Sequence, residues 1–313
     1  MLPILSGSQW LQKVQSTERP NAERILAFYE QRIGAICKDP ACLLAPLDDH
    51  LVHRGDGVFE TIRFSQGKIF NLEAHLRRFA HSAQGLAIEP PCPEDALRAI
   101  ILDVARAADS PEGNIRVLMG RGPGGFGIEP SECQGASLYV IAYAAPAHSE
   151  EWYAKGLTAC RSAIPVRQAA FAQLKTANYL PGVLMCLEAA KKGADLSFSF
   201  DEDGNLAEGA VSNIAIVDAA GCFATPLFRN ALPGTTVRKA AELASAFMPA
   251  ASRPIPEAEL FTAREILVLG TSIECASAVR YENHPVGSGR PGPVAAKLRQ
   301  LIHEDMLANG TPF

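Results

Sequence analysis

Apolar residues recur at helical spacing in some stretches of this chain and at every second position in others, and the two periods alternate along its length. Trp10, Leu11 and Val14 share one helical face, and Ile25, Leu26, Tyr29 and Ile33 form a second stripe that stops at Gly34. Residues 1 to about 35 therefore read as helical, with Pro20 between two helices. Val58, Glu60, Ile62 and Phe64 alternate with Phe59, Thr61 and Arg63, as a strand requires, and Ser65 to Lys68 turns the chain toward a return strand at Ile69 and Phe70. Asn71 stands where an N-cap belongs for a helix over Leu72 to Gln84, with Leu72, Leu76, Phe79 and Ala83 inward. Pro93 opens another helix, whose apolar face is Leu97, Ile100, Ile101 and Val104. Strands are expected at 115–119 and 138–142.

In the second half a strand is expected over Leu157 to Ala163. A helix follows Lys175, with Leu180, Val183, Leu184, Leu187 and Ala190 facing the core, and ends at Lys191-Lys192-Gly193. Ser197 to Phe200 reads as a strand, Asp201 to Asn205 as a turn, and the chain returns through Glu208 into the apolar run Ile214 to Val217. Leu232-Pro-Gly-Thr-Thr236 leads into a helix with Val237, Ala240, Ala244 and Phe247 inward, Ile266 to Gly270 is a buried strand, and a closing helix presents Val294, Leu298 and Leu301. The class is mixed α/β (α+β). Ala144 to Glu151 reads as a link, which sets a boundary near residue 150.

Composition narrows the function classes. A chain of 313 residues is long for one core, so two domains are expected. The net charge is -5 and the basic residues do not gather into a run, which argues against nucleic acid or an anionic membrane surface as partner. None of the eight cysteines stands in a CxxC pair, and reduced thiols are the expectation. No apolar run approaches a membrane span and the first residues lack the basic start of a signal peptide, so a cytoplasmic protein is expected.

Lys175 is the only charged residue between Arg167 and Glu188. It is either a lysine snorkelling beside a helix start or a shielded nucleophilic amine. Arg78, next to Phe79 on an inward stripe, needs an anion, either a carboxylate or a phosphate. Thr235 and Thr236 suit an anion at a helix N-terminus or a plain cap. Glu208 is by composition a solvated loop residue. The Asp, His and Glu cluster from Asp48 to Glu60 reads as a loop feeding a strand, since no second ligand group supports a metal site. The glycine loop Arg121 to Gly127 is neither a P-loop nor a dinucleotide fingerprint.

Taken in order, Gly57-Val-Phe-Glu-Thr-Ile-Arg63, His75-Leu-Arg-Arg78-Phe-Ala-His-Ser82-Ala83, Lys175-Thr-Ala-Asn-Tyr179, Glu208-Gly-Ala-Val-Ser-Asn213, Leu232-Pro-Gly-Thr-Thr236 and Gly270-Thr-Ser272 resemble the fold-type IV enzymes that use pyridoxal 5'-phosphate. These are the class IV aminotransferases, branched-chain and D-amino acid, together with aminodeoxychorismate lyase. The resemblance runs from about Leu47 to Leu301. It implies a two-domain fold like that of D-amino acid aminotransferase: a helical extension over 1–45, a small α/β domain over 46–150 and a large cofactor-binding domain over 151–313. It implies that Lys175 holds the cofactor as a Schiff base and shuttles a proton, that Glu208 pairs with the ring nitrogen, that Tyr179 approaches the ring hydroxyl, and that Arg78, Thr235, Thr236, Thr271 and Ser272 hold the phosphate, with Asn213 also at the cofactor. Phe59 and Arg121 are expected at the substrate. The implied reaction moves an amino group between a branched-chain or D-amino acid and a 2-oxo acid in a homodimer, and the alternative is the lyase, which releases pyruvate. One departure stands out: bacterial D-amino acid aminotransferases carry Arg-x-His near the loop at Arg121, and here Pro123 takes the place of the histidine.

Overall fold

The computed structural model describes residues 1–144 and 148–313; residues 145–147, inside the anticipated linker, lie outside the described residues. Along the chain run α1 (Gly7–Ser16), β1 (Ile25–Glu30), β2 (Ala35–Cys37), α2 (His50–Arg54), β3 (Gly57–Ser65), β4 (Lys68–Ile69), α3 (Leu72–Gly85), α4 (Glu94–Ala107), β5 (Glu112–Gly120) and β6 (Ser137–Tyr143). Then come α5 (Glu150–Lys155), β7 (Leu157–Arg161), α6 (Ala169–Ala172), α7 (Leu180–Lys191), β8 (Leu196–Phe200), β9 (Leu206–Gly209), β10 (Asn213–Val217) and β11 (Phe223–Thr225). The last are α8 (Thr235–Ser245), β12 (Ala250–Ser252), α9 (Glu257–Leu260), β13 (Glu265–Gly270), β14 (Glu274–Tyr281), β15 (His284–Pro285), α10 (Pro293–Asn309) and β16 (Thr311–Pro312). Two compact units result: Met1–Ile69, Phe79–Pro146 and Thr311–Phe313 form the first, and Phe70–Arg78 with Ala147–Gly310 the second.

The first unit is built on a seven-stranded sheet, β16-β4-β3-β5-β6-β1-β2, antiparallel throughout. Residues directly opposite one another share a face. Val58, Ile62, Ile115, Val117, Met119, Leu138 and Val140 point to one side, all buried, where Leu97, Ile101 and Val104 of α4 also lie buried. The other side carries Phe59, Thr61 and Arg63 opposite Leu118, Arg116 and Asn114.

The second unit holds a nine-stranded mixed sheet, β12-β11-β10-β13-β14-β7-β8-β9, with β15 paired to β14. Both faces of its centre are covered. Ile214, Ile216, Ile266 and Val268 enter one apolar cluster, while Ala215, Val217, Leu267 and Leu269 enter another with Val237, Ala240 and Ala244 of α8 and Leu298 and Ile302 of α10. That is why these two strands read as continuous apolar runs and not as alternations.

Three local expectations are corrected. Residues 25–30 are a strand, not a helix: Ile25, Leu26 and Tyr29 fit either period over so short a run, and hydrogen bonding to β6 on one side and β2 on the other settles it. The stripe on α7 is exposed. Leu180, Val183, Leu184 and Leu187 are 62%, 52%, 41% and 53% exposed, and Met185 and Ala189 are the buried positions. On α10 the buried residues are Ala295, Leu298, Ile302 and Met306: Leu298 is buried as expected, while Ala295 and Ile302 take the places expected for Val294 and Leu301. Asn71 has a left-handed backbone, φ 55°, and starts α3 through its carbonyl, which accepts from the N–H groups of Ala74 and His75.

Gly122 has φ +107°, and a Cβ there would lie 1.9 Å from the Gly135 carbonyl oxygen. Gly122→Ala is expected to lower the unfolding free energy by roughly 2–4 kcal/mol, read from the urea midpoint.

Candidate active site

Lys175 lies in the short irregular stretch between α6 and α7, half-buried, and its Nζ donates to the Tyr179 hydroxyl at 3.3 Å. Pro181 in the first turn of α7 fixes the helix start immediately after Tyr179. Arg167, eight residues before the lysine, ties this stretch to β9. Its Nη1 donates to the Leu174 carbonyl at 3.3 Å, and its Nη2 donates to Glu208 Oε1 at 2.8 Å. Its guanidinium carbon also lies 5.7 Å from the Tyr179 ring centroid.

The two side chains are only 17% and 15% exposed, so this is a partly buried ion pair. Burial pulls the Arg167 guanidinium down, but the Coulombic pull of Glu208 and its hydrogen bond outweigh that, and Arg167 is held above its ordinary value. The second carboxylate oxygen of Glu208 accepts from the Leu232 N–H at 2.9 Å. The expectation that Glu208 is a solvated loop residue is therefore corrected: it sits in a strand, and both of its oxygens are engaged. Pro165, Val166, Arg167, Tyr179, Met185 and Ser199 line a shallow cleft beside it.

The network continues from Leu232. Asn213 at the start of β10 donates from Nδ2 to the Leu232 carbonyl at 2.7 Å. Gly234 must lack a side chain, because a Cβ would meet Asn213 Oδ1 at 1.9 Å. Gly234 is the N-cap of α8 and makes no side-chain cap, so the first-turn N–H groups at Thr235 and Thr236 have no carboxylate or hydroxyl cap from it. Both threonines are buried, and Thr235 Oγ1 is 3.3 Å from His75 Nε2. His75 and Arg78 stand one turn apart on α3. Asn213 is paired with Leu269 on β13, and Thr271 and Ser272 follow directly in the turn to β14.

Of the two residues expected at the substrate, Phe59 lies on β3 with the Arg116 guanidinium 4.6 Å from its ring centroid. Arg121 is engaged by neighbouring groups of the first unit. Its Nε and Nη2 hold Asp56 in a two-point ion pair at 2.6 and 3.0 Å, and its Nη2 and Nη1 donate to the Leu86 and Ala87 carbonyls. Among the described residues no group of three or more His, Cys, Asp or Glu side chains could hold a metal. Sequence reasoning missed Arg167, whose signal was its place as the last charge before the lysine. It also missed Arg116, which the β3–β5 register places on the same face as Arg63.

The family model for class IV amino-transferases matches residues 57–281. The chain is 31% identical over 312 residues to the chloroplastic D-amino-acid transaminase of Arabidopsis thaliana, covering 97% of this chain and 82% of that protein. It is 28% identical over 257 residues to a putative branched-chain-amino-acid aminotransferase of Methanocaldococcus jannaschii, covering 82% and 89%. Among solved structures, the T.th. branched-chain amino acid aminotransferase with pyridoxamine 5'-phosphate matches with a TM-score of 0.86 at 27% identity, covering 91% of this chain and 95% of that one. The same enzyme complexed with N-(5'-phosphopyridoxyl)-L-glutamate matches with a TM-score of 0.83 at 26% identity, with the same coverage of 91% and 95%. The chain is thus an enzyme of the fold-type IV architecture, and it belongs to the class IV aminotransferase family.

Removing the cation from the Arg167–Glu208 pair strands a shielded carboxylate. Arg167→Met is expected to lower the unfolding free energy by roughly 3–5 kcal/mol, with Arg167→Lys recovering part of the loss in the same urea titration.

Proposed function

We propose that this chain transfers an amino group between an amino acid of the branched-chain or D series and a 2-oxo acid, using pyridoxal 5'-phosphate held in the second unit. The observation that carries the reading is the continuous set Lys175–Tyr179, Arg167–Glu208–Leu232 and Asn213–Gly234–Thr235–His75.

The donor set fits the cofactor. A helix N-terminus without a side-chain cap, two buried threonine hydroxyls and the Arg78 guanidinium suit a phosphate dianion, with Thr271 and Ser272 beyond β13 adding hydroxyls. Glu208, paired with the Arg167 cation, is the partner a protonated ring nitrogen needs. When bound, the cofactor supplies an electrophilic carbonyl and an electron-withdrawing ring that accepts charge from the substrate's α-carbon. The chain's own groups do the rest. Lys175 Nζ would hold the cofactor at its carbonyl carbon, and the same amine would serve as the base for the substrate's α-proton. The Tyr179 hydroxyl, accepting from Nζ at 3.3 Å, orients that amine. Arg167 holds Glu208 in place while charge moves.

The exposed apolar face of α7 favours a homodimer, since Leu180, Val183, Leu184 and Leu187 otherwise meet water. No helix among the described residues is long and apolar enough to cross a membrane. All eight cysteines are free thiols, which suits a reducing compartment, and we take the cytoplasm as that compartment.

Purified protein is expected to be yellow and to bleach on addition of single amino acids without an acceptor, and the most effective D- or L-amino acid names the donor. Release of pyruvate from aminodeoxychorismate without a keto acid would instead assign the lyase. Lys175→Ala is expected to lose turnover by roughly a thousandfold or more. In light scattering the chain is expected at about twice its 33.4 kDa, and Leu184→Glu at the monomer mass; a monomeric wild type would sink the dimer.

A further inference from the structure

Glu274 is an odd residue for its place. It opens β14 opposite Gly270, so only Thr271, Ser272 and Ile273 separate the two strands. Its backbone lies in the left-handed region, φ 56°, where glycine or asparagine is the ordinary choice, and it is 6% exposed. A buried carboxylate on a strained backbone persists only where its surroundings hold it. Here they do. Oε2 lies 3.5 Å from Arg299 Nε and Oε1 lies 3.9 Å from His303 Nδ1, two α10 residues one turn apart. Arg299 in turn stacks over the Tyr153 ring at 3.6 Å and pairs with Glu150, and the Tyr153 hydroxyl donates to the Ile273 carbonyl at 3.0 Å. The turn carrying Thr271 and Ser272 is thus gripped twice from behind, at Ile273 by Tyr153 and at Glu274 by α10, with Arg299 touching both grips.

We propose that Glu274 is a positioning residue for phosphate recognition: braced by Arg299, it sets the backbone of the Thr271–Ser272 turn in the pose that receives the cofactor's phosphate. This rests on the reading above that the turn forms part of the phosphate site. A glycine would accept the same φ without strain, so the presence of glutamate assigns the work to its carboxylate. The carboxylate itself need not touch the cofactor. The brace acts on the turn, and its loss is felt by ligands that carry a phosphate.

The test is a binding titration of the full chain stripped of cofactor, followed by tryptophan fluorescence, with pyridoxal 5'-phosphate and with pyridoxal. Glu274→Gly keeps the backbone permissive and removes the carboxylate, and Glu274→Gln keeps the shape and removes the charge. Both are expected to weaken pyridoxal 5'-phosphate at least tenfold, to leave pyridoxal within twofold of wild type, and to leave the melting temperature of the stripped protein within a few degrees. Equal weakening of both ligands, or no weakening of either, overturns the proposal. Thr271→Ala separates the two levels of inference. If it weakens pyridoxal 5'-phosphate while both Glu274 variants bind normally, the brace is wrong and the phosphate site stands. If Thr271→Ala binds like wild type, the phosphate reading of the turn falls, and the proposal with it.

Discussion

A carboxylate withdrawn from water needs a cation or a proton, and Glu208 has a cation. Its pairing with Arg167 ties together several segments of the second unit. Because Arg167 also donates to the Leu174 carbonyl, the segment that presents Lys175 is tied to β9. Because the other oxygen of Glu208 accepts from Leu232, β9 is tied to the approach to α8, and Asn213 closes the same corner from β10. The amine, the acid and the helix N-terminus are therefore held by one hydrogen-bonded path and do not depend on separate loops finding their positions.

That arrangement holds the segment around Lys175 from several elements at once. Lys175 itself is on an irregular stretch, but the groups around it come from α7 and from β9, β10 and α8, and the inner faces of the last three belong to the apolar clusters of the sheet. Rigidity is supplied by burial and direction by the ion pair.

Much of this could be read from the residues beforehand, and the failures are instructive. The sheet centre was visible because Ile214 to Val217 and Ile266 to Leu269 are apolar at every position, a pattern that only burial on both faces requires. The lysine, the acid and the threonine pair were visible as motifs in a fixed order. The ion pair of Arg121 was not legible, because a basic residue in a glycine loop looks available and nothing local reveals that Asp56, sixty-five residues earlier in sequence, pairs with it. Arg167 went unnoticed for the converse reason: it looks like any surface charge until Glu208 is folded against it. On α7 the periodicity was right and the inference from it was not, since a pattern of apolar positions says that a face is hidden without saying whether the chain itself or another molecule hides it.

Chain connectivity adds a further consequence. Phe70–Arg78 belongs to the second unit although it is encoded among residues of the first, and Thr311–Pro312 returns to pair with β4 after the whole of the second unit has been traversed. Neither unit is a contiguous module. A genetic exchange that swapped everything before residue 145 for the equivalent stretch of a relative would bring in a foreign His75 and Arg78 with it, and would match a foreign β4 to the native β16. A cut at residue 145 would therefore divide each unit's own elements between two parental sequences.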